Sequence, residues 1–247
     1  MASDSRHANL TRYLVEEIGS AIVRGDYAQS ASLPIEAKLS EQFDASRSVL
    51  REAVKMLTAK GLVGSRPRRG TYVEPEGRWN LLDPDVLGWI LQRNFSPRLM
   101  VEFLEVRSAI EPAASALAAR NATAEDIADI KRALERMEAA ARGDSDPLET
   151  DIAFHVAILR ASRNRFFEQF APLVETALRF TIRLTNRVKG VHMASVPDHR
   201  AIAEAIVGRD PEAAASATTH LLQEAIGLAR LVEDEGTSEK ARTSADQ

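Results

Sequence analysis

The chain has 247 residues, 45% of them hydrophobic and 28% charged, with a formal net charge of −4 and no cysteine. This is the balance of a water-soluble protein long enough for one large or two ordinary domains. It excludes disulfides, thiol catalysis and cysteine zinc sites, and no apolar run reaches the ~18–20 residues a membrane span needs. The polar start MASDSRHANL lacks an apolar signal core, so a cytoplasmic protein without membrane contact is expected.

Charge is unevenly spread. Residues 1–75 carry 11 basic and 9 acidic residues, against 21 and 27 in the remainder. The excess lies in residues 44–70, DASRSVLREAVKMLTAKGLVGSRPRRG, with seven basic residues and two acidic ones.

Leu10, Leu14, Ile18, Ala21 and Ile22 recur at helical spacing, which predicts a helix over 9–24 closed by Gly25. A second helix is expected over 34–43, opened by Pro34 with Glu36 in its first turn. Ser46 suits an N-cap for a third helix ending near Lys60 and Gly61. That helix turns Val49, Leu50, Ala53, Val54 and Leu57 inward and sets Arg47, Arg51 and Lys55 at four-residue steps on another face. Leu62-Val63, a basic turn and Thr71-Tyr72-Val73 read as a hairpin. Three helices and a hairpin make a winged helix-turn-helix over 9–75.

Residues 76–96 read as a linker with a short connecting helix flanked by Trp79 and Trp89. Beyond it helices are expected over about 97–120, 124–142, 147–162, 164–188, 197–208 and 211–234. Thr123 with Asp126, Asp146-Pro147 and Asp210-Pro211 mark starts. Pro112 and Pro172 should kink or split two of them. The fold class is mostly α: the winged head plus an antiparallel helical bundle over 97–234, with 235–247 as a disordered tail.

A helix with Arg47 and Arg51 on one face, followed by a basic turn, suits DNA, because phosphates require positive charge and the major groove admits a helix. The stretch LPIEAKLSEQFDASRSVLREAVKMLTAKGLVGSRPRRGTYVEP resembles the DNA-binding domain of GntR-superfamily regulators. The match rests on Leu33, Pro34, Glu36, Ser46, Arg47, Arg51, Glu52, Ala53, Gly61, Leu62, Val63, Gly70, Thr71 and Val73. The resemblance implies DNA contacts from Lys38, Ser46, Arg47, Ser48 and Arg51, and from Arg68, Arg69 and Gly70 in the wing. Ala37 stands where some members have Arg, and Lys38 is the available substitute.

Asp151 and His155 lie four apart and share a helix face. His199 and His220 are equidistant from the turn at 208–211, so an antiparallel pair of helices would bring them to one height. The spacing fits either unrelated buried histidines or a divalent metal held by Asp151, His155, His199 and His220, with Zn, Ni, Mn or Co suited to such ligands. A metal-dependent hydrolase would use the same groups.

The helical remainder resembles the effector domain of the FadR subfamily, through EVRSAIEPAASALAARNAT, DIAFHVAILRASRN and DHRAIAEAIVGRDPEAAASATTHL. That resemblance implies the metal and a carboxylate effector paired with Arg107; otherwise Arg107 reads as a surface or ion-paired residue. Thr185 and Asn186 are candidates for effector hydroxyls. WNLLDPDVLGWIL is similar to repressors of sugar-acid catabolism, D-galactonate among them. The expected function is a homodimeric repressor that leaves a pseudo-palindromic double-stranded operator on binding a sugar acid. Lactate, aldarate, fatty or aromatic acids are the alternative effectors.

Overall fold

The structure is a computed structural model. It describes residues 2–67, 70–93, 96–189 and 195–245, with the side chains of 2–6, 183–189 and 234–245 outside the described part. The chain divides into a unit of residues 1–95 and a unit of residues 96–247.

In the first unit, helix α1 (Ala2–Arg24) packs on α3 (Arg47–Ala59), and Leu14, Ile18 and Ile22 of the first and Leu50 and Leu57 of the second are buried. Between them lies α2 (Glu36–Gln42), whose N-cap is Ile35. Pro34 thus precedes the cap instead of opening the helix. Ser46 caps α3 by accepting from the Val49 N–H at 3.4 Å. Gly61 leaves that helix with φ +75°, and a Cβ there would sit 2.5 Å from the Arg78 carbonyl oxygen. Strands β1 (Val63–Arg66) and β2 (Gly70–Val73) pair antiparallel, Val63 opposite Val73 and Arg66 opposite Gly70.

The segment expected to be a linker is built into this head. Helix α4 (Pro84–Arg93) lies against α1, with the Trp89 ring over Gly19. A Cβ on Gly19 would come within 2.4 Å of that ring, which explains a glycine in mid-helix. Trp89 Nε1 donates to Glu16 at 2.7 Å, and Arg93 donates to the Val23 carbonyl at 2.8 Å. Lys60 was counted in the basic segment, but its Nζ turns in to Asp83 at 2.8 Å and Asp85 at 2.7 Å. Asp83 also caps α4 through the Asp85 and Val86 N–H groups. One residue therefore anchors a helix start and neutralises a largely buried ammonium.

The second unit contains α5 (Pro97–Asn121), α6 (Ala124–Ala141), α7 (Pro147–Ala161), α8 (Arg165–Gln169), α9 (Ala171–Lys189), α10 (Val196–Val207) and α11 (Pro211–Ala245). The expected starts are capped at Thr123 with Asp126, Asp146 and Asp210, and Ser96 caps α5. Pro112 lies inside an unbroken α5, whereas the helix expected over 164–188 splits before Pro172. The tail expected to be disordered continues α11 to Ala245, consistent with its Glu, Lys, Arg and Ala content. Helix α11 runs along α5, α6 packs on α7, and α7 touches α5 and α9. Phe154, Ile130, Met137, Leu159, Ile202 and Ile206 fill the core between them.

Replacing Lys60 by Met should lower head stability by ~2 kcal/mol, less than the ~3–5 of a fully buried pair because Asp85 is more than half exposed. Both tryptophans lie in the head, so the urea midpoint of the full chain followed by tryptophan fluorescence reads this directly. An unchanged midpoint would show that the clamp contributes nothing.

Candidate ligand pocket and DNA-reading face

Five ionisable side chains meet inside the second unit. Asp151 and His155 face inward from α7, His199 from α10, and Arg107 and Glu111 from α5; each is at most 4% exposed. Both pairs sharing a helix are four residues apart, the spacing that stacks side chains on one face.

Asp151 is the meeting point of the two imidazoles. Its Oδ1 lies 3.2 Å from His155 Nε2 and 3.2 Å from His199 Nε2. The other ring nitrogens are held from behind. His199 Nδ1 is 2.7 Å from the Ser195 carbonyl, an acceptor, so it carries the proton and donates. His155 Nδ1 is 2.9 Å from Glu111 Oε2 and donates to that carboxylate. Both Nε2 atoms are thereby aimed at Asp151. This is the outer-shell arrangement found behind metal-bound histidines. One ligand atom from each of Asp151, His155 and His199 lies within 4.8 Å of the others. Neighbouring ligands on a metal with ~2.1 Å bonds stand ~3.0–3.4 Å apart, so the 3.2 Å separations fit.

Arg107 has an internal partner. Its Nε donates to Glu111 Oε1 at 2.5 Å and one Nη to Oε2 at 3.1 Å. That Nη also lies 3.3 and 3.4 Å from the two His155 nitrogens, near-equal distances that place it over the ring. Arg107 is thus ion-paired, one of the two states its sequence allowed, and Glu111 supplies the counter-charge without any ligand. The sequence signal was present, since Arg107 and Glu111 stand four apart in one stretch.

These contacts set the charges. Burial works to raise the Glu111 carboxyl, but the Arg107 charge, then His155, outweighs it and brings it down to about 2. Burial likewise opposes ionisation of Asp151, and His199 with His155 reverses it, holding Asp151 well below the usual carboxylate range. For His155, burial disfavours the imidazolium and Arg107 opposes it, while Glu111 and Asp151 prevail and raise its pKa.

Beside the cluster is a cavity of about 60 Å3, lined by Arg107, Asp151, His155 and His199, by Thr181 of α9, and by leucines of α5, α9 and α11. Allowing ~10–15 Å3 per water, it has room for about five. His220 does not reach it. The inward stripe of α11 is Ala214, Thr218, Leu222 and Ala229, and His220 is turned ~200° from Thr218 and from Leu222, into solvent. The next residue, Leu221, lines the cavity instead. The hairpin symmetry set the height of His220 and not its face. Thr185 and Asn186 lie on α9, but their side chains fall outside the described residues.

In the head, Ser46, Arg47, Ser48, Arg51 and Lys55 are exposed on α3, and Lys38 on α2. Not all of this charge is free. Arg51 pairs with Glu36 at 3.1 Å, Lys55 with Glu52 at 3.2 Å, and Arg66 stacks on Tyr72 at 4.9 Å. Gly70 opens β2 with φ +78°, and Arg68 and Arg69 lie outside the described residues.

The lowered Glu111 value has a thermodynamic consequence. A carboxyl depressed in the folded state adds stability above its ordinary value of 4.5 and loses it as pH falls towards 2. Acidification through that window should unfold the second unit, followed by far-ultraviolet dichroism in chelator. Glu111→Gln should start less stable and show a shallower pH slope; an equal slope would remove Glu111 from the acid transition.

Comparison with known proteins places both units. Residues 10–73 match the family model described as "Bacterial regulatory proteins, gntR family", and residues 102–224 match the FCD domain. The Galactonate operon transcriptional repressor of Escherichia coli (strain K12) is 35% identical over 215 residues, covering 87% of this chain and 94% of that protein. The uncharacterized HTH-type transcriptional regulator YieP of the same organism is 36% identical over 219 residues, covering 87% and 93%. A solved structure described as "Lar controls the expression of the Listeria monocytogenes agr system and mediates virulence" shares the fold at TM-score 0.58 and 20% identity, covering 90% of this chain and 97% of that one. With both domains matched and relatives above 30% identity along most of its length, the chain belongs to the GntR family of bacterial regulators with an FCD domain, and is a transcription regulator, not an enzyme.

Proposed function

We propose that this regulator represses a sugar-acid operon and that the cavity of its second unit receives the acid. One observation carries the reading: a cationic side chain and three converging metal-type donors face one cavity in a protein that otherwise binds DNA. Asp151, His155 and His199 would hold the divalent metal, without His220. When bound, such an ion supplies a Lewis-acid site for a carboxylate or hydroxyl oxygen.

Charge supports a monoanionic effector. A divalent ion on the two Nε2 atoms would displace any proton there and keep both imidazoles neutral, so Asp151 and Glu111 would oppose Arg107 and the ion, leaving one positive charge in the site. An uncompensated buried charge is costly, and one carboxylate removes it. The similarity to the galactonate repressor puts D-galactonate first among candidates. The cavity is small for an aldonic acid, so its entry would push α9 or α11 outward. That displacement is the proposed route by which effector binding changes the geometry of two heads on a pseudo-palindromic operator, bound by a homodimer.

A second effector class is favoured by the walls. Leu104, Leu178, Ile182, Leu221 and Leu228 offer nothing to hydroxyls, and an unpaired buried hydroxyl is penalised. A short hydroxy acid such as lactate fits that lining better.

Two measurements test the proposal. Elemental analysis of purified protein should find about one transition metal per chain, lost in His199→Ala and kept in His220→Ala, because only the former side chain faces the cluster. Metal-free protein, or loss in His220→Ala, would contradict the three-ligand site. Titration calorimetry should show D-galactonate binding at least tenfold tighter than D-galactose, with the difference abolished by chelator. Equal binding of acid and neutral sugar would sink the carboxylate reading, and preference for lactate would select the second class.

A further inference from the structure

The ion pair between Glu36 and Arg51 joins the first residue of α2 to the exposed face of α3, across fifteen positions of sequence. Its geometry is one-sided. Arg51 Nε alone meets the carboxylate, 3.2 Å from Oε1 and 3.1 Å from Oε2. The two Nη groups have no partner among the described residues, and the side chains are 66% and 46% exposed. Guanine in the major groove is recognised by a pair of parallel donors on O6 and N7. The Nη edge of a guanidinium is such a pair, and here it is the edge left open.

Glu36 is otherwise an unfavourable residue for a DNA-binding face, because a carboxylate there repels phosphates. An exposed ion pair also stabilises the fold little. Its effect on Arg51 is different in kind. A free arginine loses rotamer freedom when it docks on a base, and a contact that already holds it reduces that loss. Leu39 and Leu50 are buried in the helices that carry the two residues, so both ends of the tether stand on packed elements. We infer that Glu36 is a positioning residue for base reading: it holds Arg51 by Nε and presents the Nη edge to guanine. The inference rests on the reading of α3 as the recognition helix.

The sign of the effect separates positioning from simple charge. The full-length wild type first selects a duplex from a random pool; that duplex and an unrelated one of equal length serve as probes at fixed salt. Glu36→Ala should bind the unrelated duplex more tightly, since a negative charge has gone, and the selected duplex more weakly. The ratio of the two affinities should fall about five- to tenfold. Glu36→Gln, which keeps the shape and an acceptor, should fall less and guards against misfolding of the alanine variant. In an Arg51→Ala background the loss of Glu36 should have no further effect on the ratio. Affinities for both duplexes rising in step would make Glu36 a source of repulsion only and overturn the inference. A reduced ratio in Arg51→Ala with an unchanged one in Glu36→Ala would overturn it too. An unchanged ratio in Arg51→Ala would remove the recognition-helix reading itself.

Discussion

A charged side chain inside a helical bundle must have its counter-charge inside as well, and the second unit is arranged around that requirement. Arg107, Glu111, Asp151, His155 and His199 are buried in a bundle whose core is mainly apolar, with a few buried Ser and Thr hydroxyls. Removing one member would leave a partner unpaired, a loss of ~3–5 kcal/mol in comparable buried pairs. The whole cluster is a weak source of net stability, because desolvation offsets most of the attraction. The cluster ties α5, α7 and α10 together through Glu111–His155 and Asp151–His199 contacts.

The same requirement acts on a smaller scale in the head. Lys60 closes α3 and is satisfied by Asp83 and Asp85 at the start of α4, so the segment after the wing is fastened to the domain it follows. Trp89 over Gly19 and Arg93 on the end of α1 complete the fastening. The head is accordingly three helices, a wing and a fourth helix. Within its basic segment, Lys60 is taken up by the fold, Arg51 and Lys55 pair with carboxylates, and Arg66 stacks on Tyr72.

Local chemistry fixed much of the architecture before any tertiary contact is considered. Ser46, Ser96, Thr123 with Asp126, Asp146 and Asp210 start helices where their side chains accept N–H groups, an interaction among neighbours in sequence. Gly61 ends one for an equally local reason. Asp151 and His155 share a face because four residues make about one turn. These features, with the motif stretches, were enough for the winged head, the helical bundle and four of the cluster's five residues, Glu111 being the one missed.

Tertiary packing decided the rest, because periodicity defines the faces of a helix and not which neighbour each face meets. His220 and Leu221 differ by a single step of about 100°, and only the seating of α11 against α5 puts the leucine in the cavity and the histidine in water. Arg107, already beside Glu111 on its own helix, meets the His155 ring only because α7 packs on α5. Lys60 left the basic face because α4 folds back with two carboxylates, and Arg51 acquired Glu36 because α2 crosses beside α3. In each case the residue type was legible in the chain, and the direction of its side chain was set by a partner distant in sequence.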